Sequence, residues 1–329
     1  MSPEVLGEDP RPTADPAGGD SQSSTAPRTP PMVPALSRAR HDRDGLGRRD
    51  GQATLGQNPE TRVLLVTEDY LVPVMESAVG PTLQFRRADS LPADPGDWAY
   101  LGRHDGISYA MARGVRDIRA DQWLGLRDLG AEVDDLGAGL LVQAVGLAQW
   151  HDRSAHCPLC GAVTELRDAG WVRHCPVDEN EIFPRTDPAM IVLVHDGADR
   201  CVLGRQAVWP PDRFSVLAGF VEPGESAEQA VAREVFEEVR LTVTDIRYVT
   251  SQPWPLPQSL MLGFTARADG DQPLVVDEDE IVEAAWFTRA QLSDPDRGRP
   301  KLPPPVSIAY QLISGWLGQA PATASGPEN

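Results

Sequence analysis

The stretch that decides the fold is GFVEPGESAEQAVAREVFEEVRL, from Gly219 to Leu241. It contains a Pro-Gly turn and then a Ser that precedes a Gln by three residues, the capping-box pattern that opens a helix, here at Ala227. Three valines recur at every fourth position, the spacing of one helix face, and predict its buried stripe. These valines are Val231, Val235 and Val239.

A neighbouring face of the same predicted helix carries carboxylates. Glu234, Glu237 and Glu238 stand at i, i+3 and i+4, which brings their Cβ atoms roughly 5 to 6 Å apart. They repel each other unless a cation lies between them, and hard divalent cations prefer oxygen ligands. The alternative is a solvated acidic face, since such repulsion costs only about 0.2 to 0.5 kcal/mol per pair. The loop before the helix favours the cation.

Loop and helix together resemble the Nudix box, a pattern specific at fixed positions, most of them charged. The residues that carry the resemblance are Gly219, Glu225, Arg233, Glu234, Val235, Glu237 and Glu238. One position departs from it, because the family has Gly where Arg240 stands. If that position needs a positive φ, Arg240 costs about 1 kcal/mol of local stability and leaves the chemistry intact.

By this resemblance, the segment binds Mg²⁺ or Mn²⁺ and hydrolyses a pyrophosphate linked to a nucleoside. Arg233 would clamp a carboxylate and hold its rotamer, the alternative being a plain surface arginine. Water would attack one phosphorus in line, with Glu237 or a partner carboxylate as its base. The implied metal ligands are Glu234, Glu237, Glu238, Glu280 and the Ala218 carbonyl.

Downstream, SQPWPLPQSLM, from Ser251 to Met261, resembles the SQPWPFPxS array of the NADH pyrophosphatases of the NudC type, with Leu256 in place of Phe. Its prolines make a stiff loop and Trp254 offers a flat stacking face. A rigid surface loop without a ligand is the alternative. The resemblance covers most of residues 120 to 315. The substrate contacts that it implies are Gln252, Pro253, Trp254, Pro255, Leu256, Pro257, Gln258, Ser259, Ala309 and Arg127.

Two phenylalanines are further candidates for stacking a nucleobase. Phe220 adjoins the Gly of the box, and Phe183 stands where the family has Tyr. Ordinary core packing is the alternative for both residues.

Four cysteines are too few and too unevenly spaced for a disulfide framework. Three of them have the spacing of a zinc ribbon, whose fourth ligand position holds Asp178. His174 or His156 are alternative fourth ligands, and a metal-free ribbon with small buried thiols is the alternative to zinc. The three cysteines are Cys157, Cys160 and Cys175.

The length of 329 residues and the 41% apolar content predict two or three domains, each with its own core. We expect an α/β/α Nudix sandwich after an α+β domain that includes the strand TRVLLV. The predicted divisions are a disordered tail 1–34, an α+β domain 35–150, a ribbon 151–185, a Nudix domain 186–317 and a frayed tail 318–329.

The formal net charge of −19 gives no global attraction for nucleic acid or an anionic membrane, so local cations or metal must draw a phosphate-bearing substrate. There is no run of about 18 apolar residues, and the first thirty residues hold no apolar signal segment. We therefore expect a cytoplasmic protein without a membrane partner. The resemblance also implies a homodimer.

The resemblance implies hydrolysis of NADH or NAD⁺ to nicotinamide mononucleotide and AMP, and it permits removal of NAD caps from RNA. One alternative is a broader pyrophosphatase for dinucleotides or ADP-ribose, for which Leu256 leaves room. The other is an NAD(H) sensor that binds without turnover. Retention of Glu234, Glu237, Glu238 and Glu280 argues against the sensor.

Overall fold

The computed structural model describes most of the chain from Met32 onward, where its compact unit begins. The predicted tails 1–34 and 318–329 lie outside the described residues, except for residues 32–34 and Gly318. No helix in the described stretches is long and apolar enough to cross a membrane. The described residues are 32–49, 58–78, 80–91, 96–114, 119–277, 279–294 and 300–318.

The N-terminal region is a mixed α+β arrangement of two small sheets around a buried helix. One sheet has the order β4-β1-β6-β5 and the other the order β3-β2-β7, with only β1 and β6 parallel. The elements are α1 (Gly45–Arg49), β1 (Arg62–Val66), β2 (Val72–Ser77), β3 (Gly80–Leu83), β4 (Phe85–Arg87), β5 (Trp98–His104), β6 (Ile107–Arg113), β7 (Gln122–Leu124), α2 (Leu126–Leu129) and α3 (Asp135–Arg153).

Helix α3 forms the centre of this region. Its N-cap Asp134 accepts a hydrogen bond from the Gly137 N–H at 2.6 Å, which satisfies one of the donors left free at a helix start. The residues from Gly137 to Val145 are all buried, because small and apolar side chains follow one another there without a polar face. The predicted strand TRVLLV is confirmed as β1.

The ribbon is a three-stranded antiparallel sheet with the order β10-β9-β8, formed by β8 (Glu165–Arg167), β9 (Val172–His174) and β10 (Glu181–Ile182). It is fixed to the N-terminal region by polar contacts. The Trp171 indole N–H donates to the Tyr100 carbonyl at 2.7 Å, and the buried Arg173 guanidinium bonds to Asp97 and to the His151 ring. A segment too small for its own core is thus held by its neighbours.

The C-terminal domain is a sheet with the order β14-β15-β11-β12-β16, in which β13 also pairs with β11. Strands β11 and β15 run parallel and the other pairs are antiparallel. Its elements are β11 (Asp187–His195), β12 (Arg200–Gln206), β13 (Leu217–Phe220), α4 (Ala227–Val239), β14 (Val243–Trp254), β15 (Ser259–Ala268), β16 (Ile281–Thr288), α5 (Arg289–Ser293) and α6 (Ile308–Leu317).

Alternating side chains of β11 divide the core of this domain into two layers. Met190 and Val192 pack with the valine stripe of α4 on one face, as predicted. Ile191 and Leu193 pack on the other face with apolar residues of α6. The predicted α/β/α sandwich is therefore confirmed.

The N-terminal residues of the compact unit pack against the C-terminal domain. Leu36 is 1% exposed, and its backbone N–H donates to the Gln252 side chain at 3.4 Å. The Met32 carbonyl accepts a hydrogen bond from the Thr250 hydroxyl. The compact unit thus begins three residues before the predicted start of the α+β domain.

Candidate active site

Helix α4 begins and ends at residues that the sequence marks. Ser226 is its N-cap, and both hydrogen bonds of the predicted capping box are present, at 3.2 Å and 2.8 Å. The helix starts at Ala227, as predicted. It ends at Val239, and its C-cap Arg240 adopts the left-handed conformation with φ 59°. This is the position where the family has Gly, so the positive φ that we considered is present.

Arg233 lies at the centre of the carboxylate cluster. Its guanidinium makes a bidentate pair with Glu225, at 2.8 and 3.0 Å, and donates to the Phe220 carbonyl at 2.9 Å. Its Nη1 lies 3.0 Å from Glu234 and 3.1 Å from Glu237. These carboxylates raise the pKa of Arg233, and Arg233 lowers the pKa of Glu225. Arg233 therefore ties loop, strand and helix together, and it is not a plain surface arginine.

Glu234 and Glu238 turn toward the protein interior. Glu238 is 2% exposed, and burial raises its pKa to about 8, with further contributions from the negative charges of Glu234, Glu280 and Asp277. Burial also raises the pKa of Glu234, although Arg233 opposes the shift. The Oε2 atom of Glu238 is buried without a hydrogen-bond partner among the described residues. An unsatisfied buried carboxylate oxygen of this kind suits a cation ligand.

The backbone of β13 forms the floor of this cluster. A Cβ atom on Gly219 would lie 2.0 Å from the carboxylate of Glu234, so glycine is the residue that fits this close approach. Ala218 pairs with Ile191 in the sheet, and it borders the cavities on both sides of the cluster. Its carbonyl as a metal ligand stays a prediction.

The donor set fits a hard divalent cation, because it consists of carboxylate oxygens with one of them unsatisfied. The carboxylates are spread out, however. Within the described part of the chain, the only group of three or more Asp, Glu, His or Cys residues close enough to hold a metal as they stand is in the ribbon. Glu280 is exposed and Glu237 is turned toward Arg233, so the cluster is open on its solvent side.

Two cavities meet at this cluster and share Gln206, Ala218 and Met261. The first, here called the Trp254 cavity, has a volume of about 480 Å³ and reaches Glu238. The second, the Phe220 cavity, has a volume of about 570 Å³ and reaches Glu234 and Glu280. A diphosphate linked to two other groups would fit an arrangement with carboxylates between two cavities.

The structure brings several predicted substrate residues to these cavities. Arg127, Trp254 and Ala309 line the Trp254 cavity, where the Arg127 guanidinium carbon lies 5.2 Å from the Trp254 ring centroid. Ser259 and Phe220 line the Phe220 cavity. Phe220 is 59% exposed, so the core alternative for this residue is wrong.

Other residues of the proline-rich array serve the structure itself. The Gln252 side chain is completely buried and bonds at both ends, to the Leu36 N–H and to the Val306 carbonyl. Leu256 packs against the N-terminal core. Their roles as substrate contacts stay predictions. Of the others, Pro253 pairs with Leu260, the Pro255 carbonyl accepts from Gln149, Pro257 is exposed, and Gln258 bonds Asp187 and Arg153.

Phe183 is not brought to either cavity. It is 57% exposed, which excludes the core alternative, and it lines a separate groove with Trp171 and Arg48. Its contact with a substrate stays a prediction.

Sequence reasoning missed part of the Trp254 cavity. Trp209 and Arg213 line it, with the Arg213 guanidinium carbon 5.9 Å from the Trp209 ring centroid. The sequence held a signal for these two residues, because an aromatic and a basic side chain flank a Pro-Pro turn just before a strand of the box. The partner of Arg233 was also unassigned, although Glu225 is a fixed position of the box.

The ribbon holds a compact ligand cluster. Ligand atoms of Cys157, Cys160, Cys175 and Asp178 all lie within 4.8 Å of one another. The Cys157 thiol lies 3.1 Å from the Asp178 carboxylate, and its hydrogen bond lowers the pKa of Asp178 to about 2. His174 instead lies 3.5 Å from Glu179. Three thiols and one carboxylate fit a zinc ion, so the structure supports Asp178 as the fourth ligand.

Comparison with known proteins agrees with this architecture. Residues 185–307 match the NUDIX domain family, and residues 152–183 match the NADH pyrophosphatase zinc ribbon domain. Over 302 residues the chain is 42% identical to the "NAD-capped RNA hydrolase NudC" of Mycobacterium bovis, which covers 86% of this chain and 95% of that protein.

A second relative is the human "NAD-capped RNA hydrolase NUDT12", 42% identical over 193 residues, or 55% of this chain and 42% of that protein. A solved NUDIX hydrolase from Nitrosomonas europaea is 20% identical and covers 51% of this chain and 95% of its own, with a TM-score of 0.40. Because the mycobacterial relative matches over nearly its whole length, this chain belongs to the NudC family of the metal-dependent Nudix hydrolases, the NADH pyrophosphatases.

Proposed function

We propose that this protein hydrolyses the pyrophosphate bond of NADH and NAD⁺ to nicotinamide mononucleotide and AMP, and that it also removes NAD caps from RNA. The observation that carries the proposal is the position of Glu234 and Glu238, both buried between two cavities, with Glu234 held by Arg233. The names of relatives that are 42% identical support the capped RNA as substrate, and the match to the NADH pyrophosphatase zinc ribbon domain supports NADH.

The shape of the site supports a dinucleotide. NAD has two nucleosides joined by a diphosphate, and the site has two cavities joined at Ala218. With the diphosphate at the carboxylates, one nucleoside enters the Trp254 cavity and the other the Phe220 cavity. Each cavity offers an aromatic ring, and Arg127 adds a positive charge beside Trp254.

We assign the metal ligands from the same geometry. Glu234, Glu238, Glu280 and the Ala218 carbonyl would hold Mg²⁺ or Mn²⁺, with Glu237 as an additional ligand. When bound, such an ion neutralises the phosphate charge and lowers the pKa of a water molecule. Arg233 fixes the rotamers of Glu234 and Glu237 through contacts of 3.0 and 3.1 Å.

The remaining chemistry falls to the protein's own groups. The water oxygen attacks one phosphorus in line, the bond to the bridging oxygen breaks, and each product leaves with a phosphate. Glu237 is 56% exposed at its side chain, so it can take the proton of that water and pass it to solvent. Arg127 and Trp254 orient the nucleoside and exclude water from one side of the bond.

The same proposal includes zinc in the ribbon, bound by Cys157, Cys160, Cys175 and Asp178. Such an ion would stabilise a segment that has no core of its own. The homodimer and the cytoplasmic location expected from the resemblance also belong to this proposal.

The rival functions make different demands on the site. Leu256 leaves room for a broader pyrophosphatase, but this side chain packs against the N-terminal core, so Leu in place of the family's Phe does not by itself enlarge the substrate site. A sensor without turnover would not need a buried carboxylate with an unsatisfied oxygen, which is costly without a cation.

The test is an assay of NADH, NAD⁺, ADP-ribose and NAD-capped RNA with Mg²⁺ or Mn²⁺, with products identified by chromatography. We expect nicotinamide mononucleotide and AMP from the free cofactors, and 5′-monophosphate RNA from the capped RNA. Equal kcat/KM for ADP-ribose would favour the broader enzyme. Binding of NAD(H) without products in either metal would favour the sensor.

A further inference from the structure

Two arginines line the Trp254 cavity, and the chemistry described so far uses only Arg127 and not Arg213. We infer that Arg213 is a specificity-determining residue, whose positive charge favours the neutral dihydronicotinamide ring of NADH in this cavity over the positively charged ring of NAD⁺. This role rests on the proposed hydrolysis of NADH and NAD⁺, and it makes one side chain responsible for the choice between the two cofactors.

The loop that carries Arg213 is fixed through its backbone. The Arg213 N–H donates to the Pro210 carbonyl at 3.0 Å, and the N–H of the next residue, Phe214, donates to the Lys301 carbonyl at 3.1 Å. The Phe214 side chain is 1% exposed and belongs to the core layer that includes α6. Arg213 is therefore held at the cavity wall by its backbone and by its neighbour in the core, without an ion pair of its own among the described residues.

The first support is the balance of charge in the cavity wall. In the described part of the chain, neither Arg213 nor Arg127 has a carboxylate within 4.0 Å. The adjacent acid, Asp212, is paired with Lys301 instead. Glu238 is the only carboxylate among the described residues that line the cavity, and the proposed metal would neutralise it. The wall then carries a net positive charge, which repels a charged nicotinamide ring and does not repel a neutral one.

The second support is that both tryptophans of the cavity already have a cation beside them. The Arg213 guanidinium carbon lies 5.9 Å from the Trp209 ring centroid, and that of Arg127 lies 5.2 Å from the Trp254 ring centroid. The electron-rich face of an indole attracts a cation such as a pyridinium ring. Because each indole already has a guanidinium beside it, a second cation gains less from the indole and is repelled by the first. A neutral dihydronicotinamide ring stacks there without this repulsion.

The third support concerns which nucleoside enters the Trp254 cavity. In NAD-capped RNA the chain continues from the 3′ oxygen of the adenosine, so the adenosine needs a cavity with an open wall. The Phe220 cavity has one, since Val208 is 86% exposed and Phe220 is 59% exposed. The nicotinamide carries no further chain, so it fits the more closed Trp254 cavity. Several residues of that cavity are at most 5% exposed, namely Ile191, Val216, Leu217, Ile308 and Ala309.

The test compares NADH and NAD⁺ as substrates of Arg213→Met and Arg213→Lys in the full chain. Met removes the charge and keeps an unbranched side chain beside Trp209, whereas Lys keeps the charge. We expect the ratio of kcat/KM for NADH to kcat/KM for NAD⁺ to fall by about fivefold or more in Arg213→Met, because one positive charge no longer repels the nicotinamide ring of NAD⁺. The fall should come mainly from a lower KM for NAD⁺. In Arg213→Lys the ratio should stay within about twofold of wild type.

Arg247→Met is the matched control, since Arg247 is an exposed arginine paired with Asp245 outside both cavities. Arg213→Gln replaces Arg213→Met if that variant does not fold. A ratio in Arg213→Met equal to that of the control overturns the inference, and so does an equal fall of kcat/KM for both cofactors, which a structural role would cause.

A binding measurement gives the same comparison without turnover. Calorimetry with Mg²⁺ yields the affinities for nicotinamide mononucleotide and for its reduced form, and the preference for the reduced form should fall by a similar factor in Arg213→Met. If wild type cleaves neither cofactor, the proposed function fails, and these two affinities still decide on Arg213. An unchanged preference in Arg213→Met overturns the inference here as well.

Discussion

The carboxylate cluster of α4 and the cysteine cluster of the ribbon are both suited to metal, but they are built differently. The four ligand atoms of the ribbon converge within 4.8 Å, whereas the glutamates of α4 are spread between two cavities. A structural metal site is closed by its ligands, and a catalytic site keeps positions open for substrate and water. The geometry of the ribbon cluster thus suits a structural metal, and that of the α4 cluster suits a metal that acts on a substrate.

Each region also departs from its family pattern at one residue, and the two departures differ in kind. Asp178 replaces a ligand, so it changes the chemistry of the ribbon cluster. Arg240 occupies a left-handed backbone position after the last glutamate, so it changes conformation and leaves the carboxylates in place. If the two clusters differ in this way, activity depends on the α4 carboxylates and stability on the ribbon cluster.

The largest effect is expected from the catalytic cluster. Glu238→Gln keeps the shape of the side chain and removes its charge, so it should lower kcat for NADH by about 100-fold or more. Steady-state rates with Mg²⁺ and Mn²⁺ measure the effect. Glu228→Gln is the control, because Glu228 is an exposed residue of the same helix and its loss should leave kcat within about twofold. A kcat for Glu238→Gln within threefold of wild type would contradict the assignment.

The second effect concerns the ribbon. The purified protein should hold about one zinc per chain, and Asp178→Cys should slow zinc loss to a chelator by about 10-fold, because a thiolate suits zinc better than a carboxylate. Its kcat for NADH should not change. A colorimetric zinc indicator gives the rate of loss, and Asp271→Cys adds a thiol away from the cluster as control. Protein without zinc, or unchanged release in Asp178→Cys, would argue for a metal-free ribbon.

The third effect is the pH dependence of protein without divalent metal. The folded pKa of Glu238 is raised to about 8 by burial, so between about pH 4.5 and 8 the folded state keeps a proton that the unfolded state releases. The contribution of Glu238 to the free energy of unfolding is therefore fully present below about pH 4.5. It falls as the pH rises toward 8, by at most about 1.4 kcal/mol per pH unit.

Tm is measured for wild type and Glu238→Gln over the same pH range. The difference between the two proteins removes the pH dependence that comes from the titratable groups of the ribbon. The variant should become more stable than wild type by several degrees as the pH rises from 5 to 8, and Mg²⁺ should reverse the difference. A difference in Tm that stays constant over this pH range would contradict the prediction. It would mean that Glu238 in the metal-free protein is either exposed to solvent or paired with a positive charge.

Local patterns predicted the parts of the molecule whose residues are close in sequence. The start of α4 at Ala227, its valine stripe and its capping box all follow from spacing within 13 residues. The cysteine cluster follows in the same way from Cys157 to Asp178. In these segments the local hydrogen bonds and the helix or hairpin period determine which side chains meet.

Contacts between distant segments could not be predicted in this way. Gln252 is buried because Leu36, 216 residues away, donates to its side chain. Trp209 and Arg213 join the Trp254 cavity, and Arg48 meets Trp171, only through the packing of separate elements. The spacing of residues along the sequence does not predict such contacts, since they depend on how the sheets and helices pack together.

The smallest effect tests the second departure, at Arg240. A non-glycine residue at φ 59° destabilises the fold by about 1 to 2 kcal/mol because its Cβ is crowded, whereas glycine adopts this φ without that strain. Arg240 recovers part of it, because its guanidinium lies 5.3 Å from the Phe236 ring and 3.4 Å from the Phe236 carbonyl, although both contacts are exposed. Arg240→Gly should therefore raise Tm by about 1 to 2 °C and leave kcat unchanged. Arg247→Gly, in the extended strand β14, should instead lower Tm, and a fall in both variants would show that Arg240 is not strained.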